Sequence, residues 1–167
     1  MNDTMTRLLE GVLPWRSAYN LRQILLPAVD RLSSQPLTSA GLVITGAGGI
    51  TAKIGAANFY AAVQGKLVEV AAGTSMPALT GFNFGAGHFN VACFYVDGAG
   101  VLTMLPGSQG ATLGAVTLPV PPQNKALVGL LIVTYASAFT GGTTPLDTAT
   151  TVYVSPLGGF DPSALTG

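Results

Sequence analysis

The stretch HFNVACFYVDGAGVLTML, residues 88–105, decides the fold. Side chains of an extended chain alternate between two faces, so Val91, Cys93 and Tyr95 share one side and Ala92, Phe94 and Val96 the other. Both sides are apolar, which is the pattern of a strand covered above and below. Asp97-Gly98-Ala99-Gly100 follows, with glycines that accept the positive φ of a tight reversal, and a second β-rich run begins at Val101. The stretch therefore predicts a hairpin buried on both faces, around which the remaining strands are arranged.

Working outward, short β-rich runs are expected at 42–45, 49–54, 58–63, 66–71, 114–118, 126–136 and 150–154. Gln64-Gly65 separates two of them closely enough for a tight hairpin. Glycine, proline and threonine clusters punctuate the rest, and from residue 38 onward no helical pattern of ten or more residues intervenes. Such spacing predicts a mainly β domain over 38–167, an antiparallel β-sandwich or jelly-roll-like barrel, instead of a βαβ sheet. The segment LPVPP at 118–122 cannot donate a ladder of hydrogen bonds and is expected to be an extended connection over an edge.

Residues 1–37 read differently. They hold Asp3, Arg7, Glu10, Arg16, Arg22, Asp30 and Arg31, half of the 14 charged residues in the chain. Leu8, Leu9, Val12 and Leu13 recur at helical spacing up to Pro14. From Ser17, an expected N-cap, Leu21, Ile24, Leu25, Ala28 and Leu32 draw a second apolar stripe that should bend near Pro27. Two short helices joined at Trp15 would form an N-terminal arm. Short amphipathic helices are stable only when the apolar face finds a partner. Leu8, Leu9, Trp15, Tyr19 and Leu25 are the candidate contacts, to their own β domain, to a neighbouring subunit or to a larger shell.

Composition restricts the function. Charged residues make up 8 % of the chain and hydrophobic ones 49 %, against about 25 % charge in ordinary soluble domains. Acidic and basic residues balance at seven each, so there is no net positive charge to neutralise phosphates, and nucleic acid is not an expected partner. The longest apolar run, 126–139, is shorter than the roughly 20 residues of a spanning helix and contains Gly129, Thr134 and Ser137, so no membrane is expected either. The first turns carry Asp3, Arg7 and Glu10, not the basic-then-apolar order of a secretory signal, and synthesis in a cytoplasm is expected.

No catalytic constellation emerges. LVITGAGGI at 42–50 resembles a dinucleotide-binding turn, but the helix that should follow is replaced by a strand-like run, and Glu69 lies on a β-rich run flanked by valines. The single histidine, His88, excludes sites that need two imidazoles. GSQG at 107–110 lacks the glycine two residues before the serine of a nucleophile elbow. Glu69, Asp97, Asp147 and Asp161 are scattered, with Asp97 and Asp147 in turns where the carboxylate caps nearby amides. Cys93 sits in the apolar strand and is expected to be a buried, unreactive thiol. The chain is thus expected not to be an enzyme and to hold no cofactor and no metal.

The runs NFYAAVQGKLVEVAAGTSMPALTG, HFNVACFYVDGAGVLTMLPGSQGATLGAVTLP, PQNKALVGLLIVTYASAFTGGTTPLDTA and VYVSPLGGFDP occur in this order over about residues 58–162. They resemble a family of tailed-bacteriophage virion proteins, small β-rich capsid decoration, cement or head-fibre proteins. That resemblance implies a homotrimer bound to the major capsid protein on the exterior of a phage head, made in the bacterial host cytoplasm. The arm lies outside it. The alternative implied by a β module of this kind is a phage fibre or glycan-binding role in host attachment.

Overall fold

The computed structural model describes residues 33–157 together with Leu25 and Val29. The chain is mainly β, and every strand pairing among the described residues is antiparallel. Its strands are β1 (Gln35–Pro36), β2 (Val43–Ile44), β3 (Ala52–Lys53), β4 (Phe59–Val63), β5 (Lys66–Val70), β6 (Asn83–Phe84), β7 (Phe89–Asp97), β8 (Leu102–Pro106), β9 (Lys125–Thr134), β10 (Phe139–Thr140) and β11 (Thr150–Val154). The largest sheet runs β11-β9-β7-β8, a second runs β1-β4-β5, and the short pairs β2-β3 and β6-β10 flank them.

β7 is the centre, and its alternation behaves as the sequence reading requires. Ala92, Phe94 and Val96 enter one core cluster together with Phe59, Ala61, Val63, Val68 and Val70 of the β1-β4-β5 sheet. Val91, Cys93 and Tyr95 enter another, with Val116 and Leu130, and Leu105, Leu113 and Leu118 pack against it. The first cover is a sheet. The second is the 107–122 segment, which contains the 3₁₀ turn Leu113–Ala115 and pairs back through Ser108 and Thr117.

β9 has to serve the same two clusters, yet strict alternation fails along it. Ala126 and Val128 face the first cluster, but so do Leu131 and Val133, while Leu127 and Leu130 face the second. A β-bulge resolves the conflict: pairing with β7 slips between Phe94↔Gly129 and Tyr95↔Leu127, so Val128 is an extra residue and the phase inverts across it. The bulge also explains Gly129. A Cβ there would lie 2.6 Å from Leu42 Cδ1 and 2.7 Å from the Val154 carbonyl oxygen, the second of which is backbone and cannot yield.

Several expectations need correction in detail. The run 114–118 is not a strand, because the chain coils through the 3₁₀ turn and pairs only at Thr117. β pairing begins at Gln35, inside the span read as arm. β6 and β10 are additional; they are fastened by a cluster in which the Phe84 and Phe139 rings stack with centroids 4.9 Å apart and Phe82 meets both edge-on. The expected hairpin at Gln64-Gly65 is present, with φ of 51° and 76° at the two turn residues, as its tight reversal demands. Most of the two-helix arm lies outside the described residues. Of it, Leu25, Val29 and Ser33 have helical backbone.

Overpacking a filled core costs about 1–3 kcal/mol. Gly129→Ala is expected to lose stability in that range, measured as a lower urea midpoint at unchanged slope; an unchanged midpoint would show that β9 tolerates a side chain at the bulge.

Candidate functional site

The glycine-rich stretch that resembles a nucleotide turn is closed from within. The Gly48 amide donates to Asp147 Oδ2 at 2.7 Å, and the Leu146 amide donates to the Gly49 carbonyl at 2.8 Å. A carboxylate of the chain itself therefore takes the amide that a phosphate would need. Asp147 does cap a turn, but one 99 residues away and not its own. Burial, and secondarily the charge of Asp147, hold the Tyr153 hydroxyl above its ordinary range.

Asp97 caps locally, as expected. Its Oδ1 accepts from the Ala99 amide at 2.9 Å and the Val101 amide at 3.0 Å, closing the β7–β8 turn. The Val101 and Ala99 amides stabilise the charged form and lower its pKa. His88 is half-buried, with Nδ1 3.0 Å from the Ala86 carbonyl, which can only accept. Glu69 accepts from Asn58 Nδ2, and Asn58 Oδ1 in turn accepts from the Ala72 amide, so this pair ties the ends of the β4–β5 hairpin. Ser108 lies in a backbone pairing with Thr117. Among the described residues no group of three or more His, Cys, Asp or Glu side chains is placed to hold a metal ion. No helix among them is long and apolar enough to cross a membrane.

Cys93 is fully buried. Burial pushes its thiol from the ordinary 9.0 up to about 11, against a smaller opposing effect of the Tyr95 hydroxyl.

The surface is where the chain departs from an ordinary soluble domain. Val120 is 85 % exposed, Leu67 70 %, Leu157 62 %, Val101 57 % and Val152 51 %. Leu67 shares one sheet face with Leu37, which is 49 % exposed. Phe59, Ala61, Val63, Val68 and Val70 point into the core, so Tyr60, Ala62, Leu67 and Glu69 point out. Register sets Ala62 opposite Leu67 and Gln35, and sets Tyr60 opposite Glu69; the Leu37 amide donates to the Tyr60 carbonyl at 2.8 Å. Leu37, Tyr60, Ala62 and Leu67 thus form one apolar field on the outer face of β1-β4-β5.

Of the candidate contacts named from sequence, Leu8, Leu9, Trp15 and Tyr19 lie outside the described residues. Leu25 is described and exposed. Leu37 and Leu67 were not among them, because a single exposed leucine reads as ordinary surface until register places it beside others. The alternation of Phe59–Val63 was the available signal.

Comparison with protein-family models, with curated proteins and with solved structures finds no match to this chain.

Two outcomes are expected. Asp147→Ala removes a bond worth about 0.5–1.5 kcal/mol, so amide exchange at Gly48 should accelerate while far-UV circular dichroism stays unchanged. Between pH 9 and about 11 the unfolded Cys93 thiol gives up its proton while the folded one keeps it, so stability should fall as pH rises through that window. Cys93→Ser should flatten this segment of a urea-midpoint profile.

Proposed function

We propose that this chain is a non-catalytic virion structural protein. It assembles with copies of itself as a homotrimer and decorates the exterior of a tailed-phage head, where it binds the major capsid protein and stabilises the shell. In this reading the β1-β4-β5 sheet and the four-stranded sheet are the layers of a β-sandwich, and residues 1–32 form a helical arm that carries Leu8, Leu9, Trp15, Tyr19 and Leu25 to subunit or capsid contacts.

The observation that carries the reading is a pairing of two facts: charge is 8 % of the chain, and large aliphatic side chains stand more than half exposed on ordered β structure. Obligate interfaces bury about 2,000 Å² or more and resemble a core cut open. Such interfaces would cover these side chains. The sequence resemblance over 58–162 supplies the phage head as the setting.

Light scattering of the purified chain should give a mass near three times 16.9 kDa, and an antibody against it should label heads in electron micrographs of virions that carry it. Label confined to tails or fibres, with binding to host glycans, would replace the head assignment by the attachment reading. A stable monomer at micromolar concentration would remove self-assembly.

A further inference from the structure

We propose that the outer face of the β1-β4-β5 sheet is the seat for the N-terminal segment of a second copy of this chain, with Leu25 and Val29 of one copy packed against Leu37, Tyr60, Ala62 and Leu67 of the next. The proposal rests on the self-assembly and the Leu25 subunit contact of the preceding section and is independent of the phage head.

Both halves of this contact are on the surface of a single chain. Leu37 and Leu67 are 49 % and 70 % exposed on the sheet, and Leu25 and Val29 are 36 % and 50 % exposed on the segment that precedes it. Leu25, Val29 and Ser33 carry helical backbone at steps of four, which aligns them on one helix face. The rim of the sheet face is polar, with Gln35 at one end of the Ala62 row and Glu69 at one end of the Tyr60 row. An apolar centre bordered by polar groups is the usual make-up of a binding surface.

The connection decides between a chain's own segment and a neighbour's. Only Ser34 separates the helical Ser33 from β1, and Ser34 is itself fixed: it is buried, and its Oγ accepts from the Gln64 amide at 3.3 Å. A helix needs about 2–6 residues of connection to reverse onto the sheet it feeds. One residue is shorter than that, which disfavours Leu25 and Val29 turning back over Leu37 and Leu67 of their own chain and favours a seat on another copy. The segment's reach covers most of a strand's length. From Leu25 to Ser33 is eight residues, about 12 Å at a helical rise, against about 17 Å for a five-residue strand. A contact of segment on sheet is heterologous, and such contacts close into a ring when the rotation between copies divides a full turn. A trimer is one such ring.

The test uses full-length chains. Leu25→Cys and Leu67→Cys each replace an exposed side chain, and the natural Cys93 is buried and does not compete. Chains carrying one or the other substitution, co-expressed with different tags and gently oxidised, should yield a disulfide-linked mixed dimer that neither variant forms alone. Leu67→Glu should shift the oligomer to monomer in light scattering with the circular dichroism spectrum unchanged. Absence of the mixed dimer overturns the proposal. So does a double variant, Leu25→Cys with Leu67→Cys, that closes its disulfide within one chain. An oligomer unaffected by Leu67→Glu would likewise overturn it. Loss of head binding by a chain that still forms the mixed dimer would count against the virion reading alone.

Discussion

A strand that is apolar on both faces has to be covered twice, and β7 imposes that requirement on the whole molecule. One cover is a second sheet, which brings β4 and β5 against Ala92, Phe94 and Val96. The other is not a sheet at all but a proline- and glycine-rich segment that places Val116, Leu113 and Leu118 over Val91, Cys93 and Tyr95. Neither cover can be omitted, since each buries several aliphatic or aromatic side chains at about 1.5–3 kcal/mol apiece. β9 inherits the same double duty, and its bulge at Val128 is the local adjustment that lets one strand feed both clusters in the required register.

Charge is scarce in this chain, and where it occurs on described residues it is spent largely on closing loops. Asp97 holds its own turn, Asp147 holds a glycine loop from the far end of the sequence, Glu69 accepts from Asn58 across a hairpin, and Lys125 Nζ of β9 donates to Thr103 Oγ1 of β8 at 2.6 Å across the intervening β7. These groups act as hydrogen-bond partners for backbone and neutral side chains. Little charge is left to keep the exterior hydrated, and the exterior retains large aliphatic side chains at Leu67, Val101, Val120 and Val152.

What the sequence disclosed follows from what alternation and turn chemistry can encode. β4, β5, β7, β9 and β11 are each five residues or longer and carry a readable pattern; Asp97-Gly98-Ala99-Gly100 and Gln64-Gly65 name their own turns. β1, β6 and β10 have two residues each, too few to display any period, and exist because tertiary partners hold them. The run 114–118 has strand-like composition but is bent into a 3₁₀ turn to cover a sheet face. The surface was less legible still. Leu25 could be named from helical spacing, whereas Leu37 and Leu67 acquire meaning only from a cross-strand register that brings distant residues side by side. Leu8, Leu9, Trp15 and Tyr19 lie outside the described residues.

The order β11-β9-β7-β8 carries a cost that falls on biosynthesis. The chain finishes β7 at Asp97, but β11 ends at Val154, 57 residues later. At the roughly 5–20 residues per second of translation, about 3–11 s pass before the sheet can be completed. Its second pairing partner, β9, is finished only at Thr134, so for the first 37 residues of that interval a nine-residue strand, apolar on both sides, has only β8 beside it in its own sheet. The nascent protein is then at its stickiest, and crowded polysomes making many copies at once would favour chaperone engagement or wrong pairing between chains. β1 and β4–β5 are complete by Val70, so the sheet that will cover β7 is already synthesised when β7 emerges.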